Sequence, residues 1–429
     1  MDSVSLLFES TNMHYEVIVI GAGIIGTSIA WHLQKNDSQV LLIDKKPPGE
    51  ETSYGNAGII TREAVNTKPF PRSFAEISRI LPNRSTDIRY RWSAIYRLQR
   101  PLLQYWINSS PKKVQEIDEE WATLIQHCTD EHDSMIKASG ADELVSKIGW
   151  IELHRKSNSF EKSINKALKA ADKGVEYQVL SLAELQQLEP NVNFTDYVGG
   201  IHWQNSWQIK NPSSLVKAYA RNFEAMAGQI NQLTVKSIIQ TEEGWQVITD
   251  SGIHSCQNLV IAAGPWSADL IKPLGYDIPL FPMRGYHQHF EFTDKNSFSH
   301  SLFDVEKGFV MGAMDQGIRI TTGAEMAMSD DPKNFNQLKS VLKYACKVLP
   351  LEVAVESEAW CGTRPCLPDM KPVIGPASKH DNLWFAFGHA HQGMTLGPVT
   401  GRLIEEMING KPLFIDAQPF SVERFSSKV

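Results

Sequence analysis

The feature that most constrains this chain is a glycine-spaced turn that joins a short apolar run to a helical stretch near the N-terminus. Residues 17–20 read Val-Ile-Val-Ile, a β-branched run typical of a buried parallel strand. Residues 21–26 read Gly-Ala-Gly-Ile-Ile-Gly, and apolar positions then recur at helical spacing. We expect Gly21 to permit the tight turn, Gly23 to let a pyrophosphate approach the backbone, and Gly26 to let helix and strand pack closely. The stretch predicts a dinucleotide site.

A second apolar run supports this interpretation. Residues 39–44 read Gln-Val-Leu-Leu-Ile-Asp, so a predicted strand ends in Asp44, 18 residues after Gly26. An acidic side chain at that distance holds a ribose hydroxyl of a bound dinucleotide. The free N–H groups at the helix start, together with the helix dipole, would face the two phosphates. The glycine spacing is weak evidence alone, but with strand, helix and acid in place it predicts a Rossmann-type fold.

Composition excludes several classes of protein. The chain has 429 residues, of which 42% are hydrophobic and 21% charged, as in an ordinary globular protein with two or three domain-sized units. A net charge of −7 argues against generic nucleic-acid binding. The five cysteines are odd in number, scattered and without a CxxC, so neither a disulfide framework nor a zinc site is indicated. We interpret residues 1–13 as an extension without a secretory signal, and we expect a cytoplasmic location.

Other kinds of chemistry find little support. His287 and His289 are two residues apart, as are His389 and His391, but no carboxylate or thiol at ligand spacing completes a metal site, so we expect none. Neither a GxSxG nor a Walker-type phosphate loop is present. No general acid–base pair stands out, which suits a hydride transfer in which a cofactor performs the difficult step.

Residues 69–140 predict mostly helices and carry a distinct charge. Between residues 84 and 113 there are seven basic residues and one acidic residue, Asp87, and aromatic residues are interleaved with them. Basic helices that bear aromatic residues are typical of contact with a membrane surface. The alternative is a solvated helix face whose aromatic residues pack inward, and both interpretations remain open. The aromatic residues are Tyr90, Trp92, Tyr96, Tyr105 and Trp106.

The order of the predicted elements indicates two interleaved domains. Residues 258–264 form another apolar run that closes on glycine, which fits a return to the first sheet. Residues 279–325 alternate between short strands and turns, as in an antiparallel sheet over a cavity, and residues 334–348 predict a helix. Segments of the nucleotide-binding sheet therefore lie at both ends and in the middle of the chain.

Two later stretches carry candidate site residues. Residues 362–369 place Arg364 on rigid backbone in an otherwise uncharged run, where it could bind a substrate carboxylate through two parallel hydrogen bonds. The alternative for Arg364 is an ion pair with Asp369 or another acid. Pro398 suits the first position of a helix, and Gly410 suits the position after its end. The start of that helix would stabilise the negative charge of a reduced flavin.

Taken together, these stretches resemble the FAD-dependent D-amino acid oxidase superfamily, and most closely its bacterial D-amino acid dehydrogenases and D-hydroxyproline dehydrogenases. The resemblance runs from about residue 15 to residue 408. Its motifs are residues 21–26, residues 51–58 (Glu-Thr-Ser-Tyr-Gly-Asn-Ala-Gly), residues 259–267 (Leu-Val-Ile-Ala-Ala-Gly-Pro-Trp-Ser), residues 282–287 (Pro-Met-Arg-Gly-Tyr-His), residues 362–365 (Gly-Thr-Arg-Pro) and residues 388–393 (Gly-His-Ala-His-Gln-Gly).

The resemblance implies an α/β fold in which a Rossmann-type FAD-binding domain is interleaved with an antiparallel-sheet substrate domain of α+β type. The implied FAD-binding domain comprises residues 14–85, 155–198, 210–275 and 359–429, and the substrate domain comprises residues 86–154, 199–209 and 276–358. Arg364 matches the arginine that binds the substrate carboxylate, and Tyr286 is a further candidate for the pocket wall. The implied FAD-binding residues are Gly21, Gly23, Gly26, Asp44, Thr52, Ser53, Asn56, Ala57, Gly58, Ala263, Gly264, Gly393, Met394 and Thr395.

The implied activity is oxidative deamination of a small D-amino acid. A hydride would pass from the α-carbon to flavin N5, the imino acid would hydrolyse, and electrons would go to a quinone-type acceptor at the inner membrane. Alternatives are a D-hydroxyproline or D-proline dehydrogenase, which the Gly-Thr-Arg-Pro motif favours, a sarcosine-type secondary-amine oxidase, a non-catalytic FAD-binding electron-transfer subunit, and an NAD-dependent dehydrogenase. Cys361 and Cys366 lie where some relatives attach flavin covalently, but their register matches poorly, so we expect non-covalent FAD.

Overall fold

The computed structural model describes residues 14–293 and 297–426, so the predicted extension 1–13 lies outside the described residues. The strands are β1 (His14–Ile20), β2 (Val40–Asp44), β3 (Ile59–Ile60), β4 (Ile88–Tyr90), β5 (Val145–Ser146), β6 (Trp150–His154), β7 (Tyr177–Leu180), β8 (Gly199–Trp203), β9 (Trp207–Ile209), β10 (Gln229–Gln232), β11 (Val235–Thr241), β12 (Gly244–Thr249), β13 (Ile253–Ile261), β14 (Phe281–Phe290), β15 (Leu302–Asp304), β16 (Phe309–Met314), β17 (Gly317–Thr321), β18 (Ala324–Met326), β19 (Trp360–Cys366), β20 (Val373–Pro376) and β21 (Leu383–Phe387). The α-helices are α1 (Ile24–Lys35), α2 (Phe74–Ile80), α3 (Trp92–Arg97), α4 (Gln99–Asn108), α5 (Pro111–Ile125), α6 (Cys128–Ser139), α7 (Ser157–Ala171), α8 (Leu182–Leu188), α9 (Pro212–Ala225), α10 (Ser267–Ile271), α11 (Asn336–Val348) and α12 (Gly393–Ile408).

The first sheet has a parallel centre, in the order β10-β2-β1-β13-β21, with β20 antiparallel to β21. The hairpin β11–β12 extends it from the beginning of β13. Ile18, Val19, Leu42 and Val260 are fully buried because helices and chain cover both faces of these strands. Continuous apolar runs are therefore what such strands require, and the Rossmann-type prediction is confirmed for them.

The second sheet is mainly antiparallel, in the order β4-β18-β14-β17-β16-β15-β6-β8-β7, with β19 paired to the other part of β14. A small third sheet, β3-β9-β5, lies where the chain passes between the two. Helix α11 packs Leu338, Val341 and Ala345 into a core cluster with Ile318 and Ile320 of β17. The predicted antiparallel sheet and the helix after it are thus present.

Sheet membership differs from the expected domain boundaries for two strands. Strand β7 lies within residues 155–198 and β19 within residues 359–429, two ranges that the family resemblance places in the FAD-binding domain. Both strands pair in the second sheet, β7 with β8 and β19 with β14. Local periodicity identifies a strand but does not reveal its partner, so these two assignments could not be read from the sequence. The rest of the division stays a prediction.

Helices α1 and α12 pack closely because glycines of α12 leave room for α1. A Cβ on Gly397 would lie 2.5 Å from Cγ1 of Ile24, and one on Gly401 would lie 2.7 Å from the backbone of Ser28. Helix α12 can therefore approach α1 closely, and the beginnings of both helices face the region at the carboxyl ends of β1 and β13. This packing brings two distant motifs into one site.

Helices α2 and α4 contain no fully buried residue. Several large apolar side chains of these two helices and of α3 are nevertheless exposed, whereas soluble helices usually bury such residues on one face. They are Phe74, Ile77, Trp92, Tyr96, Leu103, Trp106 and Ile107. Among the described residues, none of the helices has the length and apolar character that crossing a bilayer requires.

Candidate cofactor and substrate site

The glycine turn after β1 fits closely against the end of β13. Gly21 has a φ of +111°, and a Cβ there would lie 2.4 Å from the carbonyl oxygen of Ala262. A Cβ on Gly26 would lie 1.8 Å from the carbonyl oxygen of Gly21. Neither position accepts a side chain, so the turn has the close packing that is typical of a pyrophosphate-binding turn. Gly23 is less crowded, at 3.3 Å from Oγ of Ser53.

Two helices begin at this place without a cap from their own N-cap residue. Helix α1 follows Gly23 and α12 follows Gln392, and neither has an acidic residue in its first turn. Backbone N–H groups and the positive ends of both dipoles therefore face the region where the phosphates and the pyrimidine edge of a flavin would lie. The residues present fit FAD.

Asp44 ends β2 beside the glycine turn. Its Oδ2 accepts a hydrogen bond from the backbone N–H of Ala22 at 2.7 Å, and its Oδ1 accepts one from Lys46 at 3.0 Å. Burial raises the pKa of the Asp44 carboxyl, although these two bonds oppose the shift. The carboxylate thus braces the turn, which the sequence did not reveal, and lies where the predicted ribose contact would form.

The loop of residues 51–58 connects this turn to the second sheet. Oγ of Ser53 accepts a hydrogen bond from the N–H of Ile24, the first residue of α1, at 3.0 Å. Oγ1 of Thr52 donates to the carbonyl oxygen of Thr363 in β19 at 2.9 Å. The loop is therefore tied both to the predicted phosphate site and to the strand that carries Arg364.

The end of the same loop makes a tight turn. Oδ1 of Asn56 accepts from the N–H of Gly58 at 2.8 Å, across Ala57. Gly58 has a φ of +73°, and its carbonyl oxygen accepts from the N–H of Ile209 at 2.7 Å. The Asn56 side chain thus stabilises the turn of residues 56–58. Its contact with the flavin stays a prediction.

Ala263 and Gly264 follow β13, where the strand leaves the first sheet. The N–H of Trp266 donates to the carbonyl oxygen of Ala263 in a short turn. A Cβ on Gly264 would meet nothing within 4 Å, so open space lies beside it. The ammonium of Lys45 lies 3.8 Å from the ring centroid of Trp266. These residues stand beside the β2 end, as the predicted adenosine contact requires.

Helix α12 begins at Gly393, and the prediction that Pro398 is its first residue is wrong. Pro398 lies inside the helix and cannot donate to the carbonyl oxygen of Met394. Nε2 of His132, from α6, takes that place at 2.7 Å, while Nδ1 of His132 lies 3.0 Å from the hydroxyl of Tyr219. A tertiary donor thus makes the internal proline tolerable, and no local pattern could indicate it.

Thr395 lies in the first turn of α12. Its Oγ1 accepts from the N–H of Thr61 at 3.2 Å, and Oγ1 of Thr61 donates to Oε1 of Gln392 at 2.6 Å. The start of α12 is therefore fixed to the chain that follows β3. Thr61 and Gln392 were not among the predicted site residues, although both adjoin predicted motifs.

Arg364 belongs to β19 of the second sheet, and its guanidinium has no acidic partner among the described residues. Its Nη1 donates to the carbonyl oxygen of Gly323 at 2.9 Å, and its Nη2 to that of Thr322 at 3.4 Å. Asp369 pairs instead with Arg424 at 2.6 Å. No carboxylate of the described residues lies within 4.0 Å of the Arg364 guanidinium. The structure thus excludes the ion pair with Asp369.

Tyr286 does not line the space around Arg364, which corrects the prediction for this residue. Its hydroxyl donates to Glu325 and accepts from Arg284, and its ring packs 5.6 Å from that of Phe335 on the far face of the sheet. Side chains alternate along a strand, so it is the neighbouring Gly285 that faces Arg364.

Arg319 is a buried cation that sequence reasoning missed. Its Nη1 donates to the carbonyl oxygens of Tyr54 at 2.9 Å and Asn56 at 2.6 Å. Burial lowers the pKa of Arg319 to about 10. The guanidinium thus anchors the loop of residues 51–58 through two of its backbone carbonyl groups. The available signal was a single arginine within the otherwise uncharged strand β17.

His287, His289 and Glu356 place three ligand-type atoms within 4.8 Å of one another. Glu356 is distant in sequence, which is why the histidine pair lacked a carboxylate in the pattern. Nε2 of His289 accepts from Nε of Arg319 at 2.9 Å, and Nδ1 of His289 faces Glu356. Both nitrogens of His289 are engaged beside a guanidinium, so this arrangement suits a hydrogen-bond network better than a cation.

The two cysteines near the site are poor nucleophiles. Burial raises the pKa of the Cys366 thiol to about 12, and burial also raises the pKa of Cys361. The thiolate is the reactive form of cysteine, so burial reduces the share of reactive thiolate at both positions. This favours the expected non-covalent FAD.

Comparison with known proteins agrees with this geometry. The FAD dependent oxidoreductase family matches residues 16–407. A D-amino-acid oxidase of Bradyrhizobium diazoefficiens is 26% identical over 417 residues, which cover 95% of this chain and 98% of that protein. A D-amino acid dehydrogenase of Chromohalobacter salexigens is 24% identical over 428 residues, which cover 96% and 100%.

Among solved structures, glycine oxidase from Geobacillus kaustophilus has the same fold. Its TM-score is 0.72 at 21% identity, with 96% of this chain and 99% of that chain covered. The two proteins therefore share a fold over nearly their whole length. The chain belongs to the family of FAD-dependent oxidoreductases, as the resemblance implied.

Proposed function

We propose that this protein oxidises a small D-amino acid at its carbon–nitrogen bond and passes the electrons to a quinone-type acceptor. The observation that carries the proposal is the Arg364 guanidinium, which has no acidic partner among the described residues and belongs to a strand bonded to the predicted flavin loop. The names of the two relatives, a D-amino-acid oxidase and a D-amino acid dehydrogenase, support the same substrate class.

The roles of the chain's own residues follow from their positions. Bound FAD would supply the hydride-accepting chemistry. Arg364 would bind the α-carboxylate through two hydrogen bonds, since the carbonyl groups of Gly323 and Thr322 hold its orientation without neutralising its charge. The amino acid would lose its α-hydrogen as hydride and a proton from nitrogen, and the released imino acid would hydrolyse to a 2-oxo acid and ammonia. The start of α12 would stabilise negative charge at the pyrimidine edge.

Anaerobic mixing with a panel of amino acids tests the proposal. D-alanine, D-proline, D-hydroxyproline and sarcosine are added to the holoenzyme, and we expect a D-amino acid to bleach the flavin absorbance. Bleaching by D-proline or sarcosine alone would favour the secondary-amine alternatives. A flavin that no compound reduces would indicate a non-catalytic subunit, and oxygen consumption separates an oxidase from a dehydrogenase.

Replacing Arg364 with Ala tests its role directly. The buried carboxylate would lose its charged partner, at a cost of roughly 2–5 kcal/mol in substrate binding. We expect a sharp rise in KM with bound flavin retained. Arg100→Ala, which removes an exposed arginine paired with Asp277, is the matched control. Unchanged kinetics in the Arg364 variant would remove this residue from the site.

We also propose that helices α2–α4 form a surface that binds an anionic membrane, as a quinone-linked enzyme needs. Trp92, Tyr96 and Phe74 are 66%, 76% and 85% exposed, whereas Tyr105 packs inward against Phe281, so part of the aromatic set faces solvent. Arg84 and Arg97 are exposed beside them, and no described carboxylate lies within 4.0 Å of either guanidinium. Apolar side chains and unpaired cations on adjoining helices suit an interfacial contact with anionic lipid.

Vesicle flotation tests this surface. The protein should float with vesicles that contain anionic lipid, weakly with neutral vesicles, and less at high salt. The double variant Trp92→Ser/Tyr96→Ser should lose flotation while it keeps its flavin and its activity with an artificial acceptor. Val353→Ser, which removes a large exposed apolar residue elsewhere, should float normally. Equal flotation of both variants would contradict the proposal.

A further inference from the structure

The sheet face that carries Arg364 has two glycines directly opposite each other. Strands β14 and β19 are antiparallel, and Gly285 of β14 pairs with Gly362 of β19. Side chains at opposed positions of such a pair have Cβ atoms about 5 Å apart on one face of the sheet. Because neither glycine has a Cβ, longer side chains from nearby positions can lie over the strands here.

Two side chains of β19 lie over this glycine pair. A Cβ on Gly285 would lie 2.5 Å from Nη2 of Arg364, and a Cβ on Gly362 would lie 1.9 Å from Cη2 of Trp360. Trp360, Gly362 and Arg364 are alternate residues of β19, so their side chains belong to the same face. The indole of Trp360 therefore leans along its own strand and lies beside the Arg364 guanidinium.

Further contacts fix the position of the indole. The imidazole of His287 stacks on it, with ring centroids 4.9 Å apart and an angle of 19° between the ring planes. The ring centroid of Tyr54 lies 5.9 Å from that of Trp360. A Cβ on Gly55, in the loop of residues 51–58, would lie 1.8 Å from Cζ3 of the indole. The ring is thus held between β14 and the loop that we expect to contact the flavin.

This part of the sheet is not closed off as core. Trp360, Gly362 and Arg364 are only half-buried, and so is each residue from 51 to 57. The surface between the loop and β19 therefore remains open to a small molecule. Sites for small molecules combine apolar and aromatic walls with a few polar groups that fix the orientation of the ligand. A fixed indole beside a guanidinium without an acidic partner has this combination.

We propose that Trp360 forms the side-chain wall of the substrate site and limits the substrate to D-amino acids with a small apolar side chain. The inference rests on the proposed function, in which Arg364 binds the α-carboxylate. The α-carbon is bonded directly to that carboxylate, so the substrate side chain would extend from the guanidinium onto the neighbouring indole. The indole offers apolar contact to a short alkyl group and occupies the space that an aromatic side chain would need.

Two substrates that differ only in the bulk of the side chain test this wall. The value of kcat/KM is measured for D-alanine and for D-phenylalanine by flavin reduction in the anaerobic holoenzyme, and we expect the natural protein to prefer D-alanine. Trp360→Ala should raise the ratio of kcat/KM for D-phenylalanine to that for D-alanine at least about tenfold, because the space of the indole becomes free. Trp360→Phe, which keeps part of the ring, should raise the ratio less.

A matched variant and a binding measurement complete the test. Trp384→Phe is the control, since this tryptophan lies in the first sheet, where its indole donates to Oδ1 of Asn258 at 3.0 Å, and it should leave the ratio unchanged. Propionate and 3-phenylpropionate are the same two substrates without the amino group, so they bind without turnover. Trp360→Ala should lower the Kd of 3-phenylpropionate about tenfold relative to that of propionate, as followed by the flavin spectrum.

The possible failures are distinguishable. If Trp360→Ala weakens FAD binding, or lowers kcat/KM for both substrates equally, and the ratio stays the same, the indole serves the cofactor or the fold and the inference is wrong. A natural protein that prefers D-phenylalanine would also refute the inference, while the proposed function stands. If no amino acid reduces the flavin, the proposed function fails, and unchanged relative affinities of the two acids would refute the wall as well. Should Trp360→Ala not fold, Trp360→Phe carries the same comparisons.

Discussion

Gly285 and Arg364 lie diagonally on the same face of the paired strands β14 and β19, where Gly285 pairs with Gly362 and Arg364 pairs with Met283. A Cβ built on Gly285 would lie 2.5 Å from Nη2 and 2.9 Å from Cζ of the Arg364 guanidinium. The clash involves the end of a flexible side chain and not the backbone, so the fold should tolerate alanine here. The absence of a side chain at position 285 therefore leaves the space that the Arg364 guanidinium occupies.

We predict that Gly285→Ala displaces the guanidinium and raises KM for the amino acid substrate about tenfold, an effect on the order of 1.4 kcal/mol. The thermal midpoint and the flavin content should change little. Steady-state kinetics measure the effect, and a double-mutant cycle is the control. In an Arg364→Ala background the alanine should have no further effect on KM, and an undiminished effect would show that Gly285 acts elsewhere.

At the residue scale, the sequence predicted a site residue well where its charge contrasted with that of its neighbours. Arg364 stood out as a cation in an uncharged run, and it indeed lacks an acid partner among the described residues. The prediction that Tyr286 lines the pocket was wrong, because a shift of one residue along a strand moves a side chain to the other face of the sheet.

At the scale of elements, α12 depends on a helix that is far away in the sequence. Pro398 leaves the carbonyl oxygen of Met394 without its helical donor, and Nε2 of His132 supplies one. Since Nε2 donates, Nδ1 accepts from the Tyr219 hydroxyl at 3.0 Å. The start of the helix that faces the flavin is therefore held by α6.

We predict that His132→Phe destabilises the protein by about 1–3 kcal/mol because a buried carbonyl group loses its hydrogen bond. Alanine at position 398 would restore a helical N–H for Met394. The loss caused by His132→Phe should therefore be smaller in a Pro398→Ala background, as measured by denaturant unfolding of the FAD-free chain. Equal losses in both backgrounds would contradict this account of the proline.

At the scale of the whole molecule, buried neutral histidines couple stability to pH. Desolvation lowers the pKa of His32 to about 3, of His132 to about 4 and of His389 to about 3. Their ordinary pKa is near 6.5, so below that pH the unfolded chain binds protons that the folded chain does not. The resulting stability is complete above pH 6.5 and decreases as the pH falls toward the folded values. Burial raises the pKa of Glu63, which acts in the opposite direction.

We predict that the free energy of unfolding decreases between pH 6.5 and pH 5, by up to about 1.4 kcal/mol per pH unit for each of these histidines. Denaturant unfolding at several pH values measures the slope. His389→Gln should reduce this slope by up to about 1.4 kcal/mol per pH unit, whereas His14→Gln, at an exposed position, should leave the slope unchanged. A slope that His389→Gln leaves unchanged would show that this histidine is already protonated in the fold.

The kind of cofactor followed from the resemblance to a known family. The sequence by itself determined the glycine turn and the apolar strands β1, β2 and β13 around it. Those features depend on contacts between residues close in the chain, where backbone freedom and apolar spacing leave few alternatives. Only the tertiary structure decided the sheet to which β7 and β19 belong, the face that Tyr286 occupies, the donor that replaces the Pro398 N–H, and the carbonyl groups that bind the Arg364 guanidinium. Each of these is a contact between distant segments, and a pattern along one segment does not specify its partner.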